Sequence, residues 1–578
     1  MFLSILNKRE KIKMSDFGSS AFAKFLKKNK ICPVCNIKKL IAATKITQDG
    51  ADGFSNSTAL TPPMGWASRN LFGSHINENI IYETAQAMRQ CGLGDFGYTY
   101  VNIDDCWMSP VRDENGRLCA DPVNFPSGMK ELVKKINDCG FKAGIYTSNG
   151  TLTCQDMPSS LGHERTDAES FADWGFEFFK YDFCHNKAIP TSAPEIAKLT
   201  VSDLSGKTVC ELSAEEAILR GTAERFSDNN FSAGNYIGGL DAKGGEAIFD
   251  RVSVPEAGEY IITLLLHRSG IENTYAEITV NGVESYALTA PGSLGIKEGR
   301  AQVKAKLRQG INSLLICNPI SSRMDSAAKQ YRNMGYELIR AAELSAKKEN
   351  REIKPICYSI CEWGLNRPWK WGHTAGNMWR TTPDIRPKWN SILGIYEHNV
   401  RLDKFAGVGH WNDPDMLEVG NGDLTYDENR AHFTLWCMMA SPLILGNDIR
   451  KFIKEDGTVD TSNPIFGIIT EKEAIAINQD KLGIQCKRVK AGICDILVKP
   501  LENNEIAVCL FNKGSKGKEI SFDINELTKL NGVRLPRCRK YTVRNIWDKT
   551  DFISSGIITE HLNGRDVLLY RIKAEKEY

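Results

Sequence analysis

At 578 residues the chain has room for several domains, since a domain averages roughly 100–200 residues. Its 73 basic and 71 acidic residues leave a formal charge of +2, which gives no support for nucleic acid as a partner, and no uncharged apolar run approaches the roughly 18 residues of a membrane span. The 17 cysteines are odd in number and scattered along the chain, which excludes a disulfide scaffold.

Residues 1–58 read as an N-terminal extension. In MFLSILNKREKIKMSDFG a short apolar stretch precedes the charges instead of following them, unlike a secretory leader, so a cytoplasmic location is expected over a secreted one. CPVC, with Cys32 and Cys35, has the spacing of half a zinc site. No second pair follows, and ordinary thiols are the expected reading.

From residue 59 strand and helix alternate. TPPMGWAS, YTYVNIDD, KAGIYTS and FEFFKYD read as strands, separated by helical stretches such as NENIIYETAQAMRQCGL, FPSGMKELVKKINDCGF and TDAESFADWGF. The strands are continuous apolar runs, the pattern of parallel strands covered on both faces. The rhythm breaks near Ile189 and resumes with the helix SAAKQYRNMGYELIRAAEL and the strand candidates KPICYSIC, TTPDI, GVGHWNDPDML and SPLILGND. Eight such candidates, each leading toward a helix, predict an α/β fold: a (β/α)8 TIM barrel in two parts, 59–193 and 323–484. A doubly wound open sheet is the alternative, without the Gly-rich phosphate fingerprint that would support it. Between the parts, EAIFDRVSV, GEYIITLLLHR, YAEITVNGVESYAL, RAQVKAKL and INSLLICN predict an antiparallel β-sandwich over 194–322, inserted after strand 4. ICDILVKPL, EIAVCLFNK, YTVRNIWD and VLLYRIK predict a C-terminal β-sandwich over 485–578.

Barrel chemistry lies at the C-terminal strand ends. Asp104 and Asp105, Asp182, Glu362, Asp384, and Asp413 with Asp415 fall at five of the eight strand ends. One acid in such a place is most simply a helix cap. Five sets beside Trp66, Trp107, Trp363, Trp379 and Trp411 point to a sugar site, where carboxylates accept from hydroxyls and aromatic plates take the apolar ring face. Two carboxylates in different environments also supply glycosidic cleavage. No His/Cys ligand cluster, G-x-S-x-G elbow or P-loop is present, so neither a metal nor another cofactor is expected.

PPMGW, VNIDDCW, KYDFC, YSICEWG, WRTTPDI, WNDPDML and INQDKLG, in this order, resemble glycoside hydrolase family 27, the α-galactosidase and α-N-acetylgalactosaminidase family. The resemblance implies a retaining mechanism without cofactor, with Asp182 as nucleophile and Asp384 as acid/base. It implies that Asp104 and Asp105 bind the C4 and C6 hydroxyls, that Lys180 stands beside the nucleophile, that Arg380 lies near the 2-hydroxyl and Asp415 near the acid/base, and that Trp66, Tyr146 and Met416 form pocket walls. It also implies a disulfide between Cys154 and Cys184 beside the pocket, with Cys184 touching the sugar. Glu362 and Leu365, in the loop after strand five, match members that admit a 2-hydroxyl, not an acetamide. MGWASRN departs from the family at Arg69, where a second pocket tryptophan is usual. The 194–322 insert resembles carbohydrate-binding β-sandwiches of families 35 and 6.

The expected activity is removal of terminal α-linked galactose from oligosaccharides or glycoconjugates. α-N-Acetylgalactosaminidase and β-L-arabinopyranosidase activities of the same family are the alternatives, and a sugar-binding protein on an inactive barrel is the remote one. No nucleic-acid or membrane partner is expected, and self-association is left open.

Overall fold

The computed structural model describes residues 54–268, 270–293 and 297–575, so the CPVC motif and most of the 1–58 extension lie outside the described residues. Eight strands build the catalytic-type sheet: β1 (Met64–Ala67), β2 (Tyr100–Asn102), β3 (Lys142–Ser148), β4 (Phe178–Asp182), β5 (Cys357–Ile360), β6 (Met378–Arg380), β7 (Trp411–Asp413) and β8 (Leu443–Leu445). They pair in parallel in the order β7-β6-β5-β4-β3-β2-β1-β8. Leu417, just past β7, bridges to Leu445 of β8 and closes the ring into a TIM barrel.

β4 shows why its sequence, FFKYD, is apolar yet ends in an acid. Successive side chains of a strand point to opposite faces. Phe178 and Lys180 face the barrel interior, where they line a central cavity. Phe179 and Tyr181 face outward. Phe179 packs on Phe171 of helix Glu164–Trp174 at 5.2 Å, and Tyr181 meets Tyr331 of helix Arg323–Glu349 edge-on at 5.4 Å. With both faces covered the strand needs no polar face, and the one-residue step after Tyr181 turns Asp182 inward. Glycine is required at Gly65 of β1, where an added Cβ would lie 2.4 Å from the Tyr100 carbonyl oxygen of β2.

Connecting helices stand where the periodicity places them at Glu78–Gln90, Gly128–Asp138, Glu164–Trp174 and Arg323–Glu349, and two more stand at Trp389–Asn399 and Tyr426–Met438. Local signals set their starts. Asn77 accepts from the Ile80 amide, and Thr425 and Glu428 form a reciprocal capping box. Two expectations are corrected. The sixth strand is Met378–Arg380, not TTPDI, which follows it as a loop carrying Asp384. Pro368–Lys370 and Gly372–Thr374 give only 3₁₀ turns between β5 and β6, so that strand does not lead to an α-helix. The segment RPWKWGHTAG between them, with Pro368 and two glycines, is poor in helix formers.

The described residues form two compact units, one of them Lys187–Lys329. Within that unit an antiparallel sheet of Glu284–Ala290, Thr274–Val280, Gly310–Cys317, Glu246–Val254 and Ile218–Arg220 shares a core with a second sheet containing Glu298–Leu307, Gly258–His267 and Glu195–Ser202. Phe249, Ile278, Leu314 and Ile316 of the first meet the burial of Leu199, Val201, Ile262 and Leu264 of the second. The strands between Glu195 and Gly238 were not expected, although EIAKLTVS alternates buried and part-buried positions.

The C-terminal β-sandwich holds a six-stranded antiparallel sheet, with Cys494–Leu501, Glu505–Asn512 and Val567–Ala574 adjacent, and a two-stranded sheet of Lys518–Asp523 and Ile557–Leu562. It is tied to the barrel by ion pairs and hydrogen bonds: Arg430 to Asp566 at 2.6 Å, Tyr396 Oη to Asp495 at 2.8 Å, and Trp547 Nε1 to Thr434 Oγ1 at 3.1 Å.

Candidate active site

The C-terminal strand ends converge on a cavity whose lining includes Asp104, Tyr146, Lys180, Arg380, Asp415 and Met416. β4 contributes Lys180 and Asp182 on one face. The Tyr146 hydroxyl of β3 donates to Asp182 Oδ2 at 3.0 Å, and the Phe183 amide donates to Oδ1 at 2.9 Å. Both oxygens of this carboxylate are therefore oriented before any ligand arrives. Lys180 Nζ does not pair with Asp182. It donates to Asp104 Oδ2 at 2.8 Å, and Ser68 Oγ accepts from the Asp104 amide at 3.0 Å. Asp105, wholly buried, accepts from the amides of Cys106 at 2.8 Å and Gln155 at 3.1 Å.

Opposite these, Arg380 of β6 is shared between two acids. One Nη lies 3.0 Å from Asp384 Oδ1 and 2.7 Å from Asp415 Oδ2. Asp415 is held in turn: Oδ2 accepts from the Ile385 amide at 2.8 Å, and its own amide donates to Asp413 Oδ1 at 2.8 Å. Its φ of +82° is a left-handed conformation uncommon for a non-glycine residue, of the kind that persists only when its surroundings over-determine it. Asp384 is the open member of the set, its side chain 72% exposed. Asp182 is 6% exposed.

Burial pushes Asp182 above the ordinary carboxylate range. Lys180 opposes the shift and Asp384 adds to it. The concave surroundings also disfavour charge on Asp384, but Arg380, Lys180 and Arg69 outweigh them and hold that carboxyl low. Asp104 is low for a similar reason, its burial offset by Lys180 and Arg69. Burial lifts Asp105 and Asp413 to about 6, and lifts Asp415 despite Arg380. Six acids thus share three cations, Arg69, Lys180 and Arg380, and ionise in different ranges.

Several expected residues are held by framework contacts. Glu362 is wholly buried, and its oxygens accept from the Asn366 amide at 2.9 and 2.8 Å and from Asn366 Nδ2 at 2.9 Å. It closes its own loop and is not among the cavity-lining residues. Burial pushes its carboxyl well up. Leu365, in the same loop, is partly buried. Trp66, Trp107, Trp379 and Trp411 are wholly buried, and framework atoms take their indole N–H groups: Asn447 O, Tyr146 O, Asn412 Oδ1 and Ala59 O. Trp363 is 7% exposed. These indoles pack the barrel and do not present open plates. The Cys154–Cys184 disulfide is present, with Cα atoms 5.1 Å apart.

Arg69 and Asp413 were not assigned roles from sequence. Arg69 Nε lies 3.9 Å from Asp104 Oδ1, and its Nη1 is buried without a hydrogen-bond partner. Its signal was the departure in MGWASRN; that of Asp413 was its place in WNDPDML.

The family profile described as "Alpha galactosidase A" matches residues 61–205 and 262–480, and that described as "Alpha galactosidase C-terminal beta sandwich domain" matches 491–572. "Alpha-galactosidase A" of Cellvibrio japonicus is 31% identical over 496 residues, 84% of each chain. "Alpha-galactosidase 2" of Arabidopsis thaliana is 32% identical over 479 residues, 82% of each. Among solved structures, alpha-galactosidase I from Mortierella vinacea superposes with a TM-score of 0.61 at 26% identity, over 90% of this chain and 98% of that one.

Proposed function

The chain belongs to the alpha galactosidase A family, and from that membership we infer that it is a glycosidase that hydrolyses terminal α-galactosides, with Asp182 as nucleophile and Asp384 as acid/base. The observation that carries this reading is the pairing of two differently held carboxylates. Asp182 is buried and oriented by Tyr146 and the Phe183 amide, and Asp384 is open to solvent beside Arg380. In a retaining cycle Asp182 attacks the anomeric carbon while Asp384 protonates the departing oxygen, and Asp384 then takes a proton from the water that releases the sugar. In the free protein the cations favour ionised Asp384. For Asp384 to carry its proton, substrate binding has to weaken that hold. Asp104, charged and fixed by Lys180, is placed to accept from sugar hydroxyls, and Asp105 stands beside it.

The N-acetylgalactosaminidase and arabinopyranosidase alternatives are not favoured: the curated relatives compared above are alpha-galactosidases, and the β-L-arabinopyranosidase structures, 17–18% identical, share the fold alone. The test is turnover of p-nitrophenyl-α-galactoside, with NMR of the first-formed sugar. α-Galactose is expected; a β first product overturns the retaining assignment.

We also propose that 194–322 is an inserted carbohydrate-binding-type β-sandwich, bounded by barrel segments 59–193 and 323–484 and followed by the C-terminal domain at 485–578. Its shared two-sheet core supports this. Replacing 194–321 with a Gly-Ser linker should leave aryl galactoside turnover near normal and weaken use of long galactosides. Unchanged activity on polymers would remove the proposed role.

A further inference from the structure

Asp182 has two sulfur neighbours that the reaction does not use. A ligand atom each from Cys154, Cys184 and Asp182, one Sγ, one Sγ and one carboxylate oxygen, all lie within 4.8 Å of one another. Cys184 is two residues past Asp182 and wholly buried, and Cys154 reaches the same point from the loop after β3 with its Cα 5.1 Å away. As a disulfide the sulfurs are poor ligands. The protein carries many unbridged cysteines, among them the buried Cys91, Cys139, Cys357, Cys437 and Cys509, the pattern of a chain that is not a disulfide scaffold.

We propose that, when the Cys154–Cys184 bond is reduced, the two thiolates and the Asp182 carboxylate form a binding site for a thiophilic divalent cation of the zinc class, and that occupancy switches the enzyme off. This rests on the reading of Asp182 as nucleophile. Two sulfurs and one carboxylate, converging from two loops, are a donor set suited to zinc, which takes Cys and Asp ligands in tetrahedral sites and tolerates an open fourth position. Reduction delivers two electrons and two protons to the S–S bond; with a phosphine reductant, the phosphorus takes the oxygen of one water and becomes the phosphine oxide. Binding then releases the thiol protons, since the thiolate is the ligand. A cation there occupies the lone pairs with which Asp182 would attack the anomeric carbon. Exchange with a small-molecule disulfide, which takes the two electrons and leaves as two thiolates, re-forms the Cys154–Cys184 bond, removes two of the three ligands and expels the cation.

The test uses the full chain, reduced with a phosphine, desalted without oxygen, and titrated with Zn²⁺ and separately with Cd²⁺. Expected are a loss of aryl galactoside activity of about tenfold or more at micromolar Zn²⁺, reversed by EDTA, and a Cd²⁺–thiolate absorption in the ultraviolet. The oxidised protein should show neither the loss nor the increment of absorption. So that metal taken up by any other thiol is subtracted, the readout is the difference from the Cys154→Ser and Cys184→Ser variants, each measured against its own metal-free rate. Asp182→Asn should keep the thiolate absorption and bind Cd²⁺ about tenfold more weakly. Equal inhibition of the serine variants, or a reduced wild type without the extra Cd²⁺ absorption, overturns the proposal. Extra absorption without inhibition overturns the proposed switch and leaves a metal held by the two sulfurs alone; the reading of Asp182 as nucleophile is judged separately, by whether metal-free Asp182→Asn is almost inactive.

Discussion

At the scale of single residues, the active-site carboxylates are told apart by what holds them. Asp182 ends β4 and Asp384 stands on the loop after β6, yet both are aspartates, one pushed up by burial and the other held down by cations. In the proposed cycle ionised Asp182 is the attacking form, so kcat/KM should fall as pH drops through its raised pKa, placing the acid limb above the ordinary aspartate value of about 3.9. Lys180 favours the charged form, so Lys180→Met should move that limb about one unit or more to higher pH, as read from a pH–rate profile. Asp182→Asn should be almost inactive on every substrate. Asp384→Asn should lose less with aryl galactosides, whose leaving groups need little protonation, than with melibiose-type sugars, as a comparison of kcat/KM on the two would show. Glu362 belongs to this scale too, through its hold on Asn366. Glu362→Ala leaves the buried Asn366 donors unsatisfied and should cost about 1–3 kcal/mol in urea unfolding, while Glu362→Gln, which keeps an acceptor, should cost less.

At the scale of elements, β4 concentrates the logic of the barrel. Its period of two sends Lys180 and Asp182 inward and Phe179 and Tyr181 outward against helices. Phe179 also stacks on Tyr358 at 5.8 Å, so its ring touches both a neighbouring strand and a helix. Phe179→Ala should cost about 3–5 kcal/mol of stability, seen as a lower thermal midpoint, with activity per folded molecule largely kept because no active-site contact is removed. The same alternation misleads where a strand is short. TTPDI resembles a strand end in composition, but the ladder stops at Arg380, and the freed loop is what lets Asp384 stand open beside Arg380.

At the scale of the whole chain, the C-terminal sandwich supports the barrel through buried charge. Asp495, wholly buried, accepts from Tyr396 and pairs with Arg488 at 3.2 Å and Lys513 at 3.0 Å, while Glu397 of the barrel helix Trp389–Asn399 takes both cations from the other side. Removing one member of such a cluster leaves uncompensated charge. Asp495→Ala should destabilise by about 3–5 kcal/mol, and the loss should appear in the barrel's activity on heating as well as in the unfolding curve.

The sequence by itself determined the alternating barrel, the C-terminal sandwich and the acids at the strand ends, because apolar period and strand-terminal position are local properties that survive without coordinates. It located the aspartates but not their states. Whether Lys180 serves Asp182 or Asp104, and whether Arg380 holds Asp384 or Asp415, depends on distances through space, some of them between residues on different strands, and the hold of Glu362 on Asn366 depends on how its loop folds back. The tryptophans show the same limit. Their spacing beside acids suggested sugar plates, and only the closed barrel turned four of them wholly inward, where an indole N–H must find a framework carbonyl or amide oxygen. Tertiary structure decided these points because burial and charge pairing act through space, and no pattern along the chain records which of three cations lies nearest which of six acids.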